Sequence, residues 1–140
     1  MVMKKVDILI ESEVSEILSN LQIMFYHKMI EAYNKAKKSL VSINLYEFYN
    51  GCLAAIRFIQ SNDISNVISY NLYNVVDKDL SIIDSKLDTI IKYYNYVDNT
   101  KLKKDAKKSF INGFESTITM VLDMSYYCSK YKKRLKNRQR

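Results

Sequence analysis

No proline occurs anywhere in the 140 residues, and only two glycines do, Gly51 and Gly113. Proline breaks helices and glycine weakens them, whereas sheets need both in their turns. A chain so short of them can run long helices and make few tight turns. The expectation is an all-α protein: an antiparallel bundle of about four helices with short connections, ending in a long final helix with a basic C-terminal extension. The length fits a single helical-bundle domain, 1–140, whose residues 130–140 form that extension. No repeat of 20–50 residues is visible.

The apolar residues recur at helical spacing. Val14, Leu18, Leu21, Phe25, Met29, Ala32, Ala36 and Leu40 step by three or four, widened by Ile10, Ile17 and Met24. They predict a first helix from near Ser12 to about Leu40. Ser42 to Asn44 reads as a connection, with Asn44 and Glu47 spaced as a capping box. A second helix carries Leu45, Phe48, Tyr49, Cys52, Ile56 and Ile59 on one face and stops at Ser61 to Asp63. From Ile64 to about Val97 the phase slips at Asp77 to Asp79, which predicts two helices meeting there or one kinked helix. Asp98 to Thr100 is a turn with Thr100 as cap. The last helix then carries Leu102, Ala106, Phe110, Gly113, Thr117, Val121, Met124, Cys128, Tyr131 and Leu135. Gly113 in its middle costs about 1 kcal/mol relative to alanine. It marks either simple tolerance or a close helix–helix approach.

Chemistry-bearing constellations are missing. The one histidine, His27, has no ligand partners at helical spacing. Cys52 and Cys128 read as buried free thiols of a reducing compartment. Asp84 and Asp88 share a face at i,i+4, with Lys86 and Lys92 nearby, and read as a solvated face. Two glycines cannot build a phosphate-cradling loop. The expectation is no enzyme, no cofactor and no metal. The N-terminus lacks the shape of a signal peptide, and the longest uncharged apolar run, Cys52 to Ile56, is far too short to span a membrane. A cytoplasmic location, or a particle assembled in a cytosol, is expected.

Charge is the informative signal. Residues 1–100 carry ten Lys/Arg against twelve Asp/Glu, a net of −2; residues 101–140 carry twelve against three, a net of +9. Two clusters hold the excess. One comprises Lys101, Lys103, Lys104, Lys107 and Lys108; the other comprises Lys130, Lys132, Lys133, Arg134, Lys136, Arg138 and Arg140. On a helix Lys101, Lys104 and Lys108 project together, and so do Lys103 and Lys107. Cations at a helix start oppose its dipole by roughly half a kcal/mol, which hints at a use beyond helix stability. Up–down packing would bring the first cluster near Lys35, Lys37 and Lys38 and the second near Lys4 and Lys5.

Leu45 to Ile59, LYEFYNGCLAAIRFI, resembles the Leu-x-x-Tyr-Asn-Gly-Ala opening of the flagellar export chaperones over fifteen residues. The tyrosine- and asparagine-containing segment expected before it is missing, and the charges after it differ, so the chain is assigned to no family. The expected function is non-specific DNA or RNA binding or packaging, a nucleoprotein or capsid-like structural role in a virus or mobile element. Phosphate contacts come from the twelve basic residues above, and Tyr126, Tyr127 and Tyr131 are available to stack on bases. The alternative is a helical protein-interaction module, such as an inhibitor, immunity protein or chaperone, with a protein partner or homo-oligomer. A membrane surface is the least favoured partner, because the tail lacks a strong apolar face.

Overall fold

The computed structural model describes the backbone of residues 2–36, 42–94 and 99–138, and the side chains of residues 15–36, 42–63, 65–89 and 100–124. It is all-α: α1 (Val2–Ala36), α2 (Ser42–Ser61), α3 (Ile64–Ile68), α4 (Leu72–Tyr94) and α5 (Asn99–Arg138). Phe25 stacks near Tyr49 and Tyr33 near Tyr46, so α1 and α2 are antiparallel. Asp84 meets Lys107 and Asp88 meets Lys103, so α4 and α5 are antiparallel. Glu47 meets Lys86 while Phe58 meets Tyr70, so the chain through α3 and α4 runs opposite to α2. It follows that α2 and α5 run parallel, and they form the centre of the bundle.

Two glycines make that centre possible. A Cβ on Gly51 would strike the carbonyl oxygen of Phe110 and lie 2.9 Å from its carbon; a Cβ on Gly113 would strike the carbonyl oxygen of Phe48 and lie 3.2 Å from the Cys52 nitrogen. Each glycine therefore receives the backbone of the other helix. Of the two readings open for Gly113, the close approach is the one the structure takes. Burial at this contact pushes the Cys52 thiol pKa up, and the neighbouring Thr117 side chain pulls it partly back. The thiol is free and buried, as expected; the Cys128 side chain lies outside the described residues.

The core lies on both sides of this pair. On one side Leu18 and Phe25 of α1 pack with Cys52, Leu53, Ile56 and Val121. On the other, Ile83 and Leu87 of α4 and Val67 of α3 pack with Ile43, Ala54, Ala55, Ala106, Phe110 and Phe114. Because α2 has neighbours all round, every residue from Gly51 to Ile56 is buried. A one-sided stripe with Leu45 at its head is therefore too narrow: Leu45 is exposed, and Ile43 and Glu47 are inside. Met24 is likewise exposed rather than part of the α1 stripe.

Several boundaries differ from the sequence reading. α1 begins at Val2, well before Ser12, and residues 37–41 lie outside the described ones. Ser42 to Asn44 belongs to α2, so Asn44 and Glu47 form no capping box. The stop at Ser61 holds: the Asn62 side chain donates to the Phe58 carbonyl (2.8 Å), and Asp63 takes the N-cap position of α3. The break in 64–97 falls at Ser69 to Asn71, not at Asp77 to Asp79. Ser69 Oγ donates back to the Ser65 carbonyl (2.9 Å), and Asn71 Oδ1 accepts the Asn74 backbone N–H (3.3 Å), so local side chains end one helix and cap the next. Thr100 lies within α5 rather than capping it.

Candidate nucleic-acid interface

The first turns of α5 carry five lysines, and the packing of α4 sorts them into two rows. Lys103 and Lys107, four apart, face α4. Lys103 Nζ pairs with Asp88, and Lys107 Nζ lies 3.2 Å from Asp84 Oδ1 and 3.4 Å from Oδ2. Asp84 and Asp88 are thus the acidic ends of two interhelical ion pairs on a face that stays partly in water. The pairs also answer the dipole conflict at the helix start, because the two cations are compensated from the neighbouring helix. Lys101, Lys104 and Lys108 form the other row and are exposed. The grouping expected from helical spacing is therefore the grouping found.

A second polar contact sits beside the first. Glu47 is 2% exposed, and its Oε1 accepts from Lys86 Nζ (3.1 Å) and Asn50 Nδ2 (2.8 Å). Lys86 also lies over the Tyr46 ring, 5.1 Å from its centroid. Glu47 Oε2 and Asn44 Oδ1 are buried with no hydrogen-bond partner among the described residues. Nothing in the sequence around Glu47 pointed to this role, because its cation lies 39 residues away.

The helix directions put the end of α1 and the start of α5 at one pole, so the exposed lysine row shares that pole with Lys35. Lys35 itself pairs with Glu31 at 3.8 Å; Lys37 and Lys38 lie outside the described residues. The C-terminal cluster belongs to the same rod: α5 is helical without a break to Arg138. The side chains of Lys130, Lys132, Lys133, Arg134, Lys136 and Arg138, and all of Arg140, lie outside the described residues, as do those of Lys4 and Lys5 and of Tyr126, Tyr127 and Tyr131.

His27 is exposed on α1, next to Tyr26. Among the described residues no group of three His, Cys, Asp or Glu could hold a metal ion, and no helix is long and apolar enough to cross a membrane. Comparison of the chain with protein-family models, with curated protein sequences and with solved structures returns no match in any of the three.

Proposed function

We propose that this protein binds nucleic acid through the length of α5, by non-specific phosphate contacts at both of the helix's basic ends. The observation that carries the reading is the sorting of the α5 lysines: Lys103 and Lys107 pair with carboxylates of α4, while Lys101, Lys104 and Lys108 form an exposed row on a protein whose residues 1–100 are net negative. The Lys108-to-Lys130 stretch of helix is about 33 Å long at 1.5 Å per residue, close to one turn of B-form duplex. At 100° per residue, positions 130 and 133 return to the sector of 101, 104 and 108. Positions 130 and 133 thus stand about one duplex turn along the same helix from Lys108, in the same angular sector. The functional context that suits it is a cytoplasmic packaging or nucleoprotein role.

The test is a titration of the full chain against labelled duplexes and single strands over a range of salt. Each phosphate contact contributes about −0.9 to the slope of log K against log salt on duplex DNA. Lys104→Ala/Lys108→Ala is expected to make that slope shallower by about 2, and removal of Lys130 to Arg140 by more. Lys103→Ala/Lys107→Ala is expected to change it less than Lys104→Ala/Lys108→Ala, because those cations already have carboxylate partners. A duplex of about half a turn should lose most of the affinity that a two-turn duplex has, since it reaches only one basic end. Absence of binding at low salt, or a slope indifferent to both the exposed row and the tail, overturns the reading.

A further inference from the structure

A net charge of +7 disfavours pairing of the chain with its own copies, and it does so least where the meeting faces carry no charge. The outward side of α1 has such a face. Ile23 (59% exposed), Tyr26 (51%), Ile30 and Tyr33 follow one another at steps of three, four and three, all exposed. Steps of three and four are the spacing of a seam between two helices. Between residues 17 and 35 the only charged side chains are Lys28, Glu31 and Lys35. At 100° per residue these fall on the other flank of the helix, where they bond with each other, Lys28 to Glu31 at 4.0 Å and Lys35 to Glu31 at 3.8 Å. Leu18, Phe25 and Ala32, which face the bundle's own core, lie between the two flanks. The apolar row reaches α2 through Tyr46, whose ring centroid is 5.6 Å from that of Tyr33.

The order of residues in the row is self-complementary. A two-fold axis through the level of Lys28, with the helices antiparallel, sets Ile23 against Tyr33 and Tyr26 against Ile30 of a second copy. Every level then pairs an aromatic ring with a branched aliphatic side chain, and the same patch serves both copies. A parallel alignment would set tyrosine on tyrosine and isoleucine on isoleucine. Tyrosine suits the edge of such a seam, since its ring is buried while its hydroxyl keeps water. We propose that this row is a self-association face, and that two copies of the chain pair through α1 in the antiparallel register. The proposal does not depend on any nucleic-acid ligand.

Sedimentation velocity of the full chain, from low to high micromolar concentration, tests it. The expected result is a concentration-dependent shift from the 16.5 kDa monomer to twice that mass. Ile23→Glu/Ile30→Glu should hold the chain at monomer mass with helicity and Tm unchanged, while Lys28→Glu on the charged flank should leave the dimer intact. Register is read by oxidation in a Cys128→Ser background. Tyr26→Cys mixed with Ile30→Cys should give mainly the mixed disulfide dimer, and each alone should give little. A wild-type chain that stays monomeric overturns the proposal and leaves the row to a partner of different sequence. A dimer that survives Ile23→Glu/Ile30→Glu moves the interface elsewhere, and homodimeric cross-links alone overturn the antiparallel register.

Discussion

The two outer helices are fastened to the same central pair by different means. α4 packs apolar side chains on α2 and α5 and also reaches across with three ion pairs, Lys86–Glu47, Lys103–Asp88 and Lys107–Asp84. α1 packs only apolar side chains into its cluster, and its two ion pairs join Lys28, Glu31 and Lys35 within the helix itself. The two half-exposed pairs, Lys103–Asp88 and Lys107–Asp84, contribute about 0–1 kcal/mol each, so they do little to hold α4 more tightly. What the three pairs do is fix its register: a one-residue slide of α4 would part three charges from their partners. Among the described residues of α1 the ion pairs stay within the helix, and packing places it against the bundle. The carboxylates of α4 also decide which of the α5 lysines are paired across the two helices.

The largest expected effect lies where the two sides share a foundation. In an ordinary helix interior Gly→Ala gains about 1 kcal/mol. At Gly113 the added methyl would occupy the space of the Phe48 carbonyl, which belongs to backbone and cannot rotate away. α2 and α5 must part, and both core clusters open with them. Overpacking of a tight core costs about 1–3 kcal/mol and occasionally more. With backbone on the receiving side, Gly113→Ala is expected to cost about 3 kcal/mol or more, a fall in Tm of about 10 °C. Gly51→Ala should match it. Calorimetry that finds either variant as stable as the parent would show that the helices do not meet at this distance, and the division into two sides would lose its middle.

This crossing shows where the sequence was legible and where it was not. The scarcity of proline and glycine announced helices, and the rows Leu18–Phe25–Ala32 and Leu102–Ala106–Phe110 announced which faces are inside, because periodicity is local. The two glycines could be recognised as points of interest, but their mutual contact joins segments sixty residues apart. Glu47 was misread for the same reason: Asn44 stands at capping distance in sequence, whereas the partner that matters, Lys86, is on another helix. The split of the five lysines into two rows was legible from 3.6-residue geometry. Which row faces α4 was not, since that depends on Asp84 and Asp88 arriving opposite. The slip at Asp77 to Asp79 misled because α4 buries Val76 completely and half-buries Val75 and Leu80, so both phases of the stripe are used within one continuous helix.

A middle-sized effect separates the α4 side from the α1 side. Lys86→Met leaves the Glu47 carboxylate, nearly out of water, with Asn50 as its donor and with Oε2 already lacking one. Stranding a buried polar group costs about 1–3 kcal/mol. The purely electrostatic share is at the low end, because Lys86 itself is 41% exposed. Glu47→Leu/Lys86→Met removes both members and should recover most of the loss, as replacing a buried pair by apolar groups often does. On the α1 side the corresponding change, Lys35→Met, removes an ion pair exposed at both ends and should fall within about 0.5 kcal/mol of the parent. Urea unfolding of the three variants beside the parent tests the contrast. Equal losses for Lys86→Met and Lys35→Met would erase it.

The smallest effect concerns a charge that the α4 side tolerates rather than uses. Burial raises the carboxyl pKa of Asp79 above its ordinary range, although Arg57 and Lys86 pull it back down. The folded chain therefore holds that proton more tightly than the unfolded chain does. The ionised form at neutral pH is the one folding disfavours, so this group's contribution improves as pH falls toward the carboxylate range and is lost as pH rises through the folded pKa. Asp79→Asn has the same shape, similar helix propensity and no charge to desolvate. It should stabilise the protein slightly at neutral pH, and the gain should shrink to nothing on acidification, where Asp79 is itself neutral. The gain is small because water still screens a half-buried carboxylate. It should grow in a Lys86→Met background, where one of the two compensating cations is gone. Parallel stability-against-pH curves for the parent and Asp79→Asn, separated by the same amount at every pH, would show that the carboxylate is not desolvated, and that Lys86 on this side serves Glu47 alone.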